Sequence, residues 1–254
     1  MYAEERQQAI ADSVAERGRL SVTELAAEYA VTTETVRRDL SVLERAAVVR
    51  RVHGGAVPFD SLTVLEPAVS DRDRANADAK NRIAKAALAL LPRSGSVLLD
   101  AGTTTARLAT LLPRDYKLTV ITNAVPIAAR LAGLANVDLH LLPGRVRSTT
   151  HAAVGEETVA ALDLLRVEVA FVGTNGLSFG HGLSTPDHSE AAAKRAMVRS
   201  AQRVIVLADS SKIGREHTVR FAELSEVDVL VTDVGLSDKD FAALSERDIE
   251  VVVA

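Results

Sequence analysis

The chain has 254 residues, a length that suits two domains and permits a sizeable core. It contains no cysteine, which excludes disulfides and thiolate metal sites and points to a reducing compartment. Its net charge of −4 argues weakly against a nucleic-acid binder, but the distribution of that charge argues the other way. Residues 1–30 hold six acids against three arginines, whereas residues 31–57 hold Arg37, Arg38, Arg45, Arg50 and Arg51 against Glu34, Asp39 and Glu44. Local charge, not the global balance, is what meets phosphates. No apolar run is long enough to span a bilayer, and the start, Met1-Tyr2-Ala3-Glu4-Glu5-Arg6, lacks a signal-peptide pattern, so a cytoplasmic location is expected.

In chain order, an amphipathic helix is predicted over about Glu4–Arg17, ended by Gly18. Ser21 and Glu24 have the spacing of a capping box, which starts a helix at Val22 that runs to about Glu28. Thr32 caps the next helix, predicted to reach about Ala46. Val36, Leu40 and Leu43 share one of its sides, while Glu34, Arg38, Ser41 and Arg45 take the other, flanked by Arg37. Two short strands around a turn follow within Val48–Val57 and would form a wing. Residues 58–71, with Pro58 and Pro67 and no clear period, read as a linker between a DNA-binding domain at 1–57 and a second domain at 72–254.

Two short helices with a tight joint and exposed arginines on the second are the pattern of a helix-turn-helix that enters the DNA major groove. Short polar groups near the helix start and long cations beyond them suit that role. The expected DNA-binding residues are Ser21, Thr32, Thr33, Glu34, Thr35, Arg37 and Arg38, with Arg50, Arg51, His53 and Gly54 in the wing. The competing reading is a small helical dimerisation module with a solvated arginine face.

From Asn76 onward helical periods alternate with apolar runs. Strands are predicted at Val97–Asp100, Leu118–Thr122, Val137–Leu142, Val167–Gly173, Val204–Ala208, Val227–Thr232 and Glu250–Val253, with helices between most of them. Such continuous Val/Ile/Leu runs suit a mostly parallel sheet covered on both faces. Small polar loops end several strands: Asp100-Ala101-Gly102-Thr103-Thr104-Thr105, Thr122-Asn123, Pro143-Gly144-Arg145, Gly173-Thr174-Asn175-Gly176 and Asp209-Ser210-Ser211-Lys212. Ligands of open α/β sheets bind at the carboxyl ends of strands, and a helix starting near Thr104 offers its N-terminus to an anion. Arg145, Lys194 and Lys212 can supply charge for a phosphate. Each loop taken alone reads equally well as an ordinary turn; the set favours a phosphorylated small molecule. Neither GxGxxG nor GxxxxGK[ST] occurs, and the six histidines lack metal-ligand spacing, so no cofactor and no metal is expected.

Glu4-Glu5-Arg6-Gln7-Gln8, Val36-Arg37-Arg38-Asp39-Leu40, Leu43-Glu44 and Arg51-Val52-His53-Gly54-Gly55-Ala56 together resemble the N-terminal domain of the DeoR family of bacterial transcription regulators. The resemblance continues through Arg72, Asn76 and Lys80, the Asp100–Thr105 loop, Thr122-Asn123, Gly173–Gly176, Glu190 with Lys194, and Ala208–Gly214. It implies a sensor domain similar in fold to ribose-5-phosphate isomerase, with Glu190 added to the effector site, and a homodimer or higher oligomer that a sugar phosphate releases from operator DNA. Two departures, Ala30 at the helix-turn-helix joint and Ala47 after the recognition helix, stand where glycine is common, and each would be strained if φ is positive. Leu141–Thr150 and His181–Asp187 are similar to actinobacterial regulators of fructose uptake and phosphorylation, which implies fructose 1-phosphate as the effector. The alternative is a sugar-phosphate isomerase with a DNA-binding or dimerising appendage, although Thr174 and Asn175 stand where such an enzyme would need carboxylates.

Overall fold

The computed structural model describes residues 2–17, 20–52, 54–59 and 68–254. The chain divides into two compact units, Met1–Leu62 and Thr63–Ala254. The first comprises α1 (Ala3–Arg17), β1 (Leu20–Ser21), α2 (Val22–Glu28), α3 (Thr33–Arg45), β2 (Val49–Val52) and β3 (Gly55–Pro58). Ser21 closes the expected capping box: its Oγ accepts from Glu24 N at 3.1 Å, and its own N–H donates to the Glu24 carboxylate at 2.7 Å. Thr32 caps α3 by accepting from Thr35 N at 3.2 Å. The apolar stripe of α3, Val36, Leu40 and Leu43, packs with Ile10, Val14 and Leu25 into one core. β3 lies between β1 and β2, so the wing is a three-stranded antiparallel sheet that recruits the segment before α2. Gly55 lets β3 approach: a Cβ there would lie 2.1 Å from the Leu20 carbonyl oxygen.

One buried carboxylate holds this unit together in a way the apolar pattern does not show. Asp39 sits on the core side of α3, only 3 % exposed, and accepts from Arg6 Nε at 2.6 Å and Gln7 Nε2 at 2.9 Å, which pins α1 to α3. The expected helix end at Gly18 lies outside the described residues.

The second unit begins before the expected boundary at residue 72, with a helix, α4 (Val69–Arg74), whose first three residues fall in the expected linker; β3 likewise runs through Pro58, and residues 60–67 lie outside the described ones. Next come α5 (Ala77–Ala87), β4 (Ser94–Leu99), α6 (Thr103–Thr110), β5 (Lys117–Thr122), α7 (Val125–Leu131) and β6 (Val137–Leu141). A short antiparallel pair, β7 (Arg145–Val146) and β8 (Ala153–Val154), leads into α8 (Glu156–Asp163) and β9 (Val167–Gly173). The rest is β10 (Gly176–Ser178), β11 (Gly182–Thr185), α9 (His188–Ser200), β12 (Ala201–Leu207), β13 (Val219–Ala222), β14 (Val229–Thr232), α10 (Asp238–Ser245) and β15 (Glu250–Val253).

All seven predicted strands join one parallel sheet in the order β15-β14-β12-β9-β4-β5-β6. Alternate residues face opposite layers. Val97, Leu99, Phe171, Ile205 and Val231 pack under α5, α6 and α7 through Ile83, Leu108 and Ile127. Leu98, Val172, Val206 and Leu230 pack against α8, α9 and α10 through Leu162, Met197 and Leu244. The second layer also holds a small antiparallel sheet, β10-β11-β13, that the sequence reading took as loops. Its strands have three or four residues, too few to show a period of two.

The strand order reverses between β4 and β9. From β4 the chain steps outward through β5 to β6; from β9 it steps the other way through β12 and β14 to β15. The loops that leave β4 and β9 therefore diverge and open a crevice at their carboxyl ends, where open α/β sheets bind ligands.

Ala30 and Ala47 both adopt left-handed backbone, with φ of 54° and 56°. Alanine pays about 1 kcal/mol there relative to glycine. Ala30→Gly and Ala47→Gly should each raise the stability of the helix-turn-helix unit by roughly that amount, read from denaturant midpoints; a loss of stability at either site would show that the turn is not strained by its Cβ.

Candidate functional site

In the first unit, the outer side of α3 is laid out as the periodicity predicts. Glu34, Arg37 and Arg38 are exposed, and Glu34 lies between the two arginines, 3.6 Å from Arg37 Nη1 and 3.8 Å from Arg38 Nε. Ion pairs this exposed are weak, so both guanidiniums can be released to DNA at little cost. Thr33 and Thr35 occupy the first turn, where an HTH recognition helix meets base edges. Arg51 reaches from the wing to α3, donating from Nη1 to Ser41 Oγ at 2.9 Å, and extends the same basic surface.

The wing divides its two arginines by the pleat, and this corrects the expectation for Arg50. That side chain turns inward, 6 % exposed, and donates to the Phe59 carbonyl at 2.6 Å. Successive residues of a strand face opposite sides, so only one of the Arg50-Arg51 pair can lie outward. Ser21 is likewise occupied with its cap, and Gly54 makes the wing turn at φ 76° while accepting from Val22 N at 2.7 Å. His53 lies outside the described residues.

In the second unit, a cleft lies at the switch point. Of the expected effector residues it is lined by Gly102, Thr103, Thr104, Thr105, Gly173, Thr174, Asn175, Glu190, Lys194, Asp209 and Lys212. Gly102 is the N-cap of α6 and no side chain caps the helix. The free N–H groups of its first turn are thus available to an anion, with the hydroxyls of Thr103 and Thr104 beside them. Arg72 and Lys80 also line the cleft. The sequence marks them only as family matches, because α4 starts within the expected linker and α5 reads as an ordinary charged helix.

Asp100 forms the floor. Its Oδ2 accepts from Gly173 N at 2.9 Å and from Lys194 Nζ, which also donates to Gly173 O at 2.9 Å. Burial pushes the Asp100 carboxyl above the ordinary carboxylate range, against the opposing pull of Lys194 and the Gly173 N–H. Lys80 Nζ donates to the last carbonyls of α4, those of Arg72 and Ala75. Burial lowers the Lys80 pKa to about 8, with Asp209 pulling upward and Lys212 adding to the fall. Burial also lowers Lys212. Asp209 is pushed up by burial, but Lys212, Ser211 and Asn76 more than offset this and leave it below its usual range.

Six expected effector residues take other positions. Thr122 Oγ1 donates to Leu99 O at 2.6 Å, and Asn123 joins Ala101 N to Ala153 O, so both brace the β4–α6 loop from beneath. Gly144, at φ 129°, allows close packing on Thr158, and Arg145 is exposed on β7. Gly176 is needed for backbone approach, since a Cβ would lie 2.4 Å from Arg215 O. Ser210 lines a separate hollow with Asn76 and Asp233. The arginine that does reach the cleft wall from this part of the chain is Arg147, whose Nη1 lies 2.8 Å from the Glu190 carboxylate. Strand pairing decides between Arg145 and Arg147, and the sequence alone does not show that pairing. Among the described residues no group of three or more His, Asp or Glu is placed to hold a metal, and no helix is long and apolar enough to cross a membrane.

Family models match both units. Residues 6–61 match the DeoR-like helix-turn-helix domain, and residues 75–234 match the DeoR C terminal sensor domain. The HTH-type transcriptional regulator GlpR of Haloferax volcanii is 35 % identical over 240 residues, covering 94 % of this chain and 93 % of the relative. The uncharacterized HTH-type transcriptional regulator FruR of Bacillus subtilis is 34 % identical over 233 residues, covering 92 % of each. Among solved structures, ribose 5-phosphate isomerase A from Methanocaldococcus jannaschii is similar over 55 % of each chain, with 19 % identity and a TM-score of 0.41. With both domains matched in order and relatives similar over nearly its whole length, the chain belongs to the DeoR family of transcription regulators, a DNA-binding helix-turn-helix unit followed by a sugar-sensing α/β domain.

Proposed function

We propose that this regulator represses an operon for sugar uptake and catabolism, and that a phosphorylated sugar in the switch-point cleft releases it from its operator. The observation that carries the reading is the uncapped N-terminus of α6, opening between Arg72, Lys80 and Lys212. Backbone N–H groups, hydroxyls and three cations around one opening suit a dianionic phosphate. We assign fructose 1-phosphate as the effector, on the resemblance of the Leu141–Thr150 and His181–Asp187 stretches to regulators of fructose uptake and phosphorylation. The protein works as a homodimer or higher oligomer, since one short recognition helix reads few base pairs and paired copies read repeated half-sites. A full switch of occupancy asks for about 5.5 kcal/mol of differential binding, part of which charge-assisted phosphate bonds can supply.

A thermal-shift panel of sugar phosphates with the full chain tests the effector, because a ligand that binds only the folded state raises the melting temperature. Fructose 1-phosphate should give the largest shift, and Lys212→Ala should reduce it while sparing operator binding. A larger shift with another sugar phosphate would reassign the effector; no shift with any would remove the phosphate reading.

The lowered pKa of Lys80 has a definite sign. Between about pH 8 and its ordinary value the folded chain holds fewer protons at Lys80 than the unfolded chain, so this group makes stability rise with pH across that window. An anion in the cleft favours the charged ammonium and reverses the preference. Effector affinity should therefore be lower at pH 9 than at pH 7, and Lys80→Met should flatten the profile. Calorimetric titration at the two pH values reads this; equal wild-type affinities would place the phosphate away from Lys80.

At the DNA face, Arg38→Ala should weaken operator binding about tenfold or more, given what a good arginine contact contributes. Gel-shift titration at fixed salt measures it. Unchanged affinity would remove Arg38 from the reading surface.

A further inference from the structure

The switch-point cleft is small. It holds about 50 Å³, and a single water needs roughly 10–15 Å³ on the same scale. A group of roughly four or five heavy atoms fills it, the size of a phosphate, and leaves no room for a sugar's carbon chain. A second hollow, of about 290 Å³, adjoins it: Ala101, Gly102 and Thr103 line both. The wall of this hollow includes Val69 and Ser70 of α4, Ala106 of α6, Pro126 and Ile127 of α7, and Thr150. Apolar walls with a few placed polar groups are the usual make-up of a small-molecule pocket. Asp73 also lines it, with its carboxylate paired to Arg107.

Thr150 is the group that the hollow leaves unsatisfied. The residue is 5 % exposed, and its Oγ1 is buried with no hydrogen-bond partner among the described residues. Leaving a buried hydroxyl unpaired is unfavourable, and native structures keep few such groups. The loop that carries Thr150 is fixed from several sides. Thr149 O accepts from Val69 N at 3.0 Å, His151 N donates to Arg147 O at 2.8 Å, and His151 O accepts from Val125 N at 3.1 Å. Ala152 bridges Ala124 in antiparallel register. His151 is held at φ 56°, a left-handed backbone that is uncommon outside glycine. Such conformations persist where the surroundings impose them, and they gather at ligand sites.

We infer that the effector spans both spaces, with its phosphate in the switch-point cleft and its hydroxylated carbon chain in the adjoining hollow, hydrogen-bonded to Thr150 Oγ1. This rests on the sugar-phosphate reading above and adds the site of the sugar. A threonine hydroxyl both donates and accepts, as each sugar hydroxyl does, so the two satisfy each other. Val69, Ala106, Pro126 and Ile127 offer apolar surface to the C–H faces of the chain. The phosphate then supplies a contact common to all sugar phosphates, and the hollow tells one sugar from another.

The test is calorimetric titration of the full chain with fructose 1-phosphate, glucose 6-phosphate and inorganic phosphate, for wild type, Ala106→Leu and Thr150→Val. Wild type should bind the better sugar phosphate more tightly than inorganic phosphate. Ala106 lines the hollow and not the cleft, so Ala106→Leu narrows the hollow alone. It should weaken the sugar phosphate about tenfold or more, the scale of a methylene misfit in a pocket, and leave inorganic phosphate unchanged. Thr150→Val keeps shape and removes the hydroxyl. It should weaken the sugar phosphate roughly two- to tenfold, the worth of one hydrogen bond, again sparing inorganic phosphate. Its melting temperature without ligand should be unchanged or higher, because an unpaired buried hydroxyl is gone. A lowered melting temperature would show that the hydroxyl already has a partner, and overturns the inference. So does wild-type sugar-phosphate affinity retained in either variant, or a parallel loss of inorganic phosphate; in these cases the sugar-phosphate reading stands. If no sugar phosphate binds wild type, both fall together.

Discussion

The sensor domain depends on one buried arrangement, the Asp100 carboxylate held between the Gly173 N–H and the Lys194 ammonium. Asp100 follows β4, Gly173 ends β9, and Lys194 comes from α9, so three elements are joined through one carboxylate at the reversal of strand order. Burying that charge is unfavourable by itself, as the upward push on Asp100 shows. It is tolerated because an opposite charge and a backbone donor converge on it. The same interaction ties the ends of β4 and β9 together at the floor of the cleft. It also explains why the lysine that sequence reasoning assigned to a phosphate is turned to the floor instead.

The other cations that line the cleft come from other elements. Lys80 sits against the carbonyl end of α4, where a cation is favoured, yet burial brings its pKa down to about 8. Lys212 is lowered for the same reason. Two partly desolvated ammonium groups thus line the same cleft as an uncapped helix start, an arrangement whose charge an anion would balance. The DNA-binding unit manages charge differently. Among the described residues it buries one carboxylate, Asp39, against Arg6 and Gln7 to fix α1 on α3, and keeps Arg37 and Arg38 exposed with a long contact to Glu34. Internal charge there sets geometry, and the arginine charge on the outer side of α3 stays at the surface.

Much of this was legible in the sequence because the signals are local. The Ser21–Glu24 capping box and the Thr32 cap place α2 and α3 to within a residue, since a cap is a contact between positions three apart. The seven strands of the parallel sheet are legible as apolar runs because each is buried on both faces. Ala30 and Ala47 were suspect as residues where glycine is common, and their positive φ values bear that out. The unread parts are those set by pairing across distance. The β10-β11-β13 sheet has strands too short for a period, and α4 lies in a stretch whose prolines suggested a linker. Arg50 and Arg51 look alike in sequence and differ only by the side of the pleat they take.

The sequence by itself determined the two-domain plan, the identity of the recognition helix and the strand-end loops from which a ligand site is built, because caps, helical stripes and buried runs are properties of neighbouring residues. Only the tertiary structure decided which of those loop residues face the cleft. Thr122, Asn123, Gly144, Arg145, Gly176 and Ser210 lie off it, while Arg72, Lys80 and Arg147 lie on or against it. That choice is made by the order in which parallel strands lie side by side and by the side of each loop that turns outward. Both follow from long-range packing of the two helical layers, which no local pattern encodes.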